Sequence, residues 1–138
     1  MDFKAECKAT AIGSFPYQKS EEALKDIFDN LKDIPVWPQL PARHFLEGMC
    51  PQYSEGVPAV NLDDEEEKIW VDTGDSLSGA MEKFYEKYLS EDTSPFATSR
   101  EYAPGLHDFL DRVKSGGDGY DALKGHVTGP ITWGLTVC

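Results

Sequence analysis

Cysteine is scarce in this 138-residue chain: Cys7, Cys50 and Cys138 are widely spaced and odd in number. Such a set builds no disulfide framework and fits a reducing compartment. Long apolar runs are missing too. No stretch approaches the roughly 20 residues that span a bilayer. Residues 1–8 alternate charge with apolar side chains, unlike a secretion signal. Basic residues are outnumbered, with 13 Lys and Arg against 25 Asp and Glu, and the formal net charge is -12. That balance argues against nucleic acid or an anionic membrane as the main partner and describes a solvated acidic surface. No internal repeat occurs, and spacing supports no phosphate loop, Ser-His-Asp order or paired catalytic carboxylates. The expectation is a soluble, cytoplasmic protein.

What is present suffices for a core: 40% of the residues are hydrophobic and 12% aromatic, enough for one domain of ordinary size. Residues 8–15 read as a short buried strand closed by Gly13-Ser14, with Pro16 blocking further pairing. Ser20 is a good helix N-cap, Glu21 and Glu22 suit the first turn, and Leu24, Ile27, Phe28 and Leu31 recur at helical spacing. Residues 34–40 are apolar, but Pro35, Pro38 and Pro41 deny this segment two-sided pairing for much of its length. One or two helical turns are expected over residues 43–50. Residues 57–73 read as a β-hairpin with an acidic tip at residues 64–67. A helix capped by Asp75 or Ser76 is expected to turn Leu77, Met81, Phe84, Tyr88 and Leu89 inward. A polar loop follows. Pro104 then opens a helix with Leu106, Phe109, Leu110 and Val113 inward, ended by Gly116-Gly117. Strands alternating with helices predict a parallel sheet.

The last stretch, Lys124-Gly-His-Val-Thr-Gly-Pro-Ile-Thr, reads as a third strand that turns at Thr128-Gly129-Pro130 into another helix. Pro pre-sets the first helical turn and Gly lets the backbone bend just before it. Backbone N–H groups at such a turn are free to meet a ligand.

Three motifs, Ala11-Ile-Gly-Ser-Phe-Pro, Trp37-Pro-Gln-Leu-Pro and Thr128-Gly-Pro-Ile-Thr, together resemble the cobalamin-independent methionine synthase and uroporphyrinogen decarboxylase superfamily. The nearest likeness is to its single-barrel, methionine-synthase-like members. The resemblance implies an α/β fold, a partial (β/α)8 barrel of about the first three βα units, with an inserted hairpin at about 57–73 and residues 1–138 forming one incomplete barrel domain. It implies methyl transfer to a thiol such as homocysteine from methyl-folate or a methyl-corrinoid, by an enzyme of which this chain is an amino-terminal portion inactive alone. Ile12, Gly13 and Ser14 inherit contact with the amino-acid end of the thiol. Gln39, Thr128 and Gly129 complete the implied substrate-binding set, and catalytic residues are unassigned. The complete family enzyme holds zinc through a His-x-Cys pair, a Glu and a distant Cys. This sequence has no His-x-Cys, so no metal is expected here.

Other residues have plainer readings. Arg43 and His44 either face a pocket with Gln39 or stay at the surface. Glu47 reads as a solvated helix residue, with a substrate amine as its alternative partner. His126 reads as a satisfied core histidine, and Trp37, Tyr53 and Trp133 as packing. The decarboxylase branch needs an Arg after the first strand, and only Arg43, Arg100 and Arg112 occur. Two other readings stay open: a decarboxylase-like protein, and a non-catalytic binding or assembly module that forms a homo-oligomer through exposed strand edges.

Overall fold

The computed structural model describes residues 3–116 and 119–137. Their order is helix α1 (Ser20–Asn30), strands β1 (Val60–Asp63) and β2 (Lys68–Val71), then helices α2 (Ser76–Leu89), α3 (Pro104–Gly116) and α4 (Pro130–Val137). Short 3-10 turns stand at Phe45–Glu47, Pro51–Tyr53 and Ser94–Phe96. Among the described residues the only sheet is the antiparallel pair β1-β2, in the register Val60 to Val71 and Asp63 to Lys68. This overturns the partial barrel: four helices and one small hairpin do not make three βα units.

The prolines supply the reason. Segments 11–15, 34–40 and 121–126 do run parallel, but they touch only at isolated bridges, Ser14 with Gln39 and Val36 with Lys124. The Gln39 N–H donates to the Gly13 carbonyl, and the Phe15 N–H to the Gln39 carbonyl at 2.9 Å. On the other edge the Lys124 N–H donates to the Pro35 carbonyl at 2.9 Å. Pro35 and Pro38 have no N–H to carry a ladder onward, and Pro16 stops the first segment. Single bridges remain where strands were expected.

Helix α1 follows its periodicity. Ala23 and Ile27 are buried and Leu24 and Phe28 partly so, while Glu21 and Glu22 sit in the first turn. Ser20 is its first helical residue rather than its cap; Lys19 holds the cap position with extended backbone and no side-chain bond. The helix lies against α3. Phe28 stacks on Phe109 with centroids 5.6 Å apart, and the Arg112 guanidinium stands 5.7 Å over the Phe28 ring. Trp37, Ala103 and Phe109 form the core cluster, with Leu24, Tyr53, Leu106 and Val113 packed around it. Leu110, expected inward, is 37% exposed.

The hairpin forms where its alternation placed it. The Glu66 N–H donates to Asp63 Oδ1 at 2.9 Å to close the turn, and Glu67 takes a left-handed φ of 50°. Helix α2 departs from expectation, for none of its residues is buried. Tyr88 and Leu89 are 64% and 76% exposed, and Phe84 has Phe96 as an edge-on partner at 5.0 Å. Helical spacing marks an apolar stripe but does not supply a surface to cover it.

Gly105 shows how tightly α3 meets the proline segment. A Cβ there would overlap the Pro38 carbonyl oxygen and approach Pro38 Cγ to 3.1 Å. Gly79 in α2 has open space around the same position. Gly105→Ala is therefore expected to destabilise by about 2 kcal/mol despite the better helix former. Gly79→Ala is expected to stabilise by about 0.5–1 kcal/mol. Urea unfolding midpoints of the two variants, compared with the parent chain, check both signs.

Candidate functional site

The bridge between Ser14 and Gln39 sets the site's first edge. Gly13 is buried, Ser14 is exposed beside it, and Gln39 is 5% exposed. The Gln39 side-chain amide donates to Gln52 Oε1, and Gln52 Nε2 donates to the Tyr102 carbonyl at 2.8 Å. Gln52 is wholly buried. One carboxamide thus donates to the next, which donates in turn to the α3 approach, and neither side chain has a buried unpartnered atom among the described residues.

His126 sets the second edge. Its ring stacks on Trp37 at 4.1 Å between centroids and 13° between planes. The Cε1 end of the ring lies so close to Gly13 that any Cβ there would overlap it. Only glycine fits at that position. Tyr53 donates its hydroxyl to the His126 carbonyl at 2.6 Å, and burial pushes the Tyr53 phenol up to about 12. The Tyr53 proton therefore stays in place across the physiological range. Both His126 ring nitrogens are buried without a hydrogen-bond partner among the described residues. This corrects the expectation of a satisfied core histidine. Burial, with a smaller contribution from the Lys124 ammonium, holds the imidazole below its ordinary value, so the ring is neutral at pH 7.

Glu47 stands at the edge of this polar interior and is fully buried, against the expectation of a solvated residue. Arg43, 37% exposed at its side chain, pairs with one carboxylate oxygen, while Oε2 has no partner among the described residues. Burial pushes the Glu47 carboxyl above its usual range; Arg43 and the Leu40 N–H oppose the shift without cancelling it. His44 pairs with Asp64 of the hairpin tip at 3.3 Å, a long-range contact that spacing gave no means of finding. Arg43, His44, Leu46, Arg100 and Glu101 line a shallow cleft of about 200 Å³. Its cations are already committed, since Arg100 holds Asp108 and Asp111.

Of the residues named from sequence, Gly13, Ser14 and Gln39 are brought together. Ile12 is not; it is 85% exposed. Thr128 donates its hydroxyl to the Met49 carbonyl at 2.6 Å, and Gly129 is exposed where α4 begins. Thr128 thus tethers the chain after His126 to the 45–53 segment. Trp133 reinforces the tether, its Nε1 donating to Ser54 Oγ at 2.8 Å. Sequence reasoning gave Gln52 no role and read Tyr53 and His126 as core. A polar residue inside a three-residue turn carries no local signal of what it will meet.

The thiols among the described residues stand apart. Cys7 is exposed, Cys50 is buried, and Cys138 lies outside the described residues. No three His, Cys, Asp or Glu side chains among the described residues are grouped to hold a metal ion. No helix among them is long and apolar enough to cross a membrane. No family model, curated protein or solved structure matches the chain.

The raised Glu47 carboxyl gives a pH signature. A folded carboxyl that keeps its proton to higher pH than the unfolded one makes the folded state the better proton binder between the two values. Stability then falls as pH rises from about 4.5 through the raised range. Glu47→Gln removes the charge, keeps the shape and leaves Arg43 free to meet water. The difference in urea midpoint between the parent chain and the variant, which cancels groups common to both such as His126, should therefore fall as pH rises through this range.

Proposed function

We propose that this chain is a ligand-holding part of a methionine-synthase-like methyltransferase, cytoplasmic, which grips the amino-acid end of a homocysteine-like thiol and does not turn over by itself. One observation carries the reading. Two segments that resemble the family's motifs, 11–16 and 37–41, meet at Gly13-Ser14 and Gln39, and His126, two residues before the third motif, lies against Gly13 and Trp37. Buried Gly13 lets a ligand approach the backbone closely, and the exposed Ser14 hydroxyl can donate to a carboxylate. Gln39 cannot turn away from this turn, because Gln52 holds its side chain and Gly13 its backbone.

In the complete reaction the thiolate sulfur takes a methyl group from a methyl-folate or methyl-corrinoid, whose bond to that carbon breaks as the S–C bond forms. Zinc supplies thiol activation in the family. No group of metal donors occurs among the described residues, and binding without catalysis is the role proposed for this chain.

A second reading, an assembly module, draws on α4. Ile131 and Leu135, one helical turn apart, are 77% and 81% exposed, and Val127 is 73% exposed. Residues 125–137 contain no Asp, Glu, Lys or Arg in a chain of net charge -12. A second copy meets such a face without opposing like charges.

Titration of the ¹⁵N-labelled chain with homocysteine, alongside sedimentation at the same concentrations, distinguishes the readings. The amides of Gly13, Ser14 and Gln39 are expected to move saturably, while methyl transfer from methyl-folate stays undetectable. Unmoved amides would remove the ligand reading. Concentration-dependent dimerisation abolished by Leu135→Glu would favour the assembly module in its place.

A further inference from the structure

His126 combines three features that packing alone does not require. Its ring is held closely, with the Trp37 indole stacked on one face and Gly13 against the end that carries Cε1 and the two nitrogens. Its backbone is anchored through the Tyr53 hydroxyl. Yet both ring nitrogens are buried with no hydrogen-bond partner among the described residues. A neutral imidazole left this way forfeits a donor and an acceptor; an imidazolium would carry two unpaired donors and a buried charge, which is far more costly. The slot therefore accepts one protonation state and rejects the other.

The groups facing the ring set the sign. Lys124, two residues earlier in the same segment, directs its ammonium to the Ala11 carbonyl at 2.7 Å and disfavours a second positive charge nearby. Tyr53, from the neighbouring 3-10 turn, stays protonated. Trp37 and Gly13 bring no charge, and Gln39 beside them is neutral. Among these groups no carboxylate stabilises the imidazolium. A folded imidazole held below its unfolded value contributes stability that is complete above the ordinary histidine range and lost as pH falls through the folded value.

Resting on the ligand-binding reading above, we propose that His126 is a proton-sensitive latch on that site. Neutral, the ring fills the slot between Trp37 and Gly13 and keeps the Gly13-Ser14 turn seated against Gln39. Protonated, it leaves the slot, and the turn loses the surface it rests on. Ligand binding at Gly13 and Ser14 is then linked to the ring's protonation, weaker in acid and full at neutral pH.

The test follows the His126 ring and the Gly13, Ser14 and Gln39 amides by NMR from about pH 7.5 to about pH 5, the range that brackets free imidazole. Homocysteine, whose carboxylate and ammonium do not titrate in that range, is added at both ends. The parent chain is compared with His126→Phe, which keeps a flat ring on Trp37, and with His126→Gln should the first variant not fold. The three amides are expected to shift with the midpoint of the ring, below that of free imidazole. Homocysteine should bind several-fold more weakly at the acid end, and both pH effects should vanish in the variants. Amides that stay still while the ring titrates, or that shift alike in the variants, overturn the latch. Equal homocysteine affinity at both ends overturns the latch and leaves the ligand reading standing. Ring-linked amide shifts with no homocysteine binding at either end do the reverse.

Discussion

The stack of His126 on Trp37, backed by Gly13, is the contact on which the arrangement depends. Trp37 belongs to the core cluster with Ala103 and Phe109, so it ties the stack to α3 and through Phe28 to α1. Gly13 brings in the first extended segment, and His126 the last. Without a continuous sheet, side-chain packing has to hold these segments in parallel. Two isolated bridges contribute few backbone hydrogen bonds, and each net bond is worth only about 1 kcal/mol. Burial of large apolar surface at Trp37 and Phe109 outweighs them.

That dependence places constraints on sequence at specific points. Glycine is required at 13 because an imidazole occupies the space of its missing side chain, and at 105 because a proline carbonyl does. Pro35 and Pro38 stiffen the central segment while denying it a ladder, which leaves one backbone bridge and the Gln39 side chain to define the edge there. The result is a buried strip of carboxamides beside a neutral histidine and a carboxyl pushed toward its protonated form. Little full charge is placed at the junction of the three segments. In such surroundings one added charge, from a proton or a ligand, has a large effect.

How much of this was legible in the residues depended on the range of the interaction. The α1 stripe and the hairpin are local patterns, and Leu24, Ile27 and Phe28 sit where their spacing puts them. The motif likeness pointed to substrate binding at Gly13, Ser14 and Gln39, which do lie side by side, but the barrel it implied does not form, because prolines interrupt the pairing. Helix α2 carries an apolar stripe that its neighbours cover only in part, something periodicity cannot reveal. The contacts of His126 with Gly13, Gln52 with Tyr102 and His44 with Asp64 span 113, 50 and 20 positions in the chain. No local window contains both members of any of these pairs.

The central claim is that three distant segments meet at one stacked ring pair, and proton–proton contacts measure it directly. At neutral pH, nuclear Overhauser spectra of the chain should show cross-peaks from the His126 ring protons to both the Trp37 indole and the Gly13 α-protons. The account predicts both sets at short-contact intensity. Cross-peaks from His126 to neither residue, in a sample whose Phe28–Phe109 contacts are intact, would contradict it.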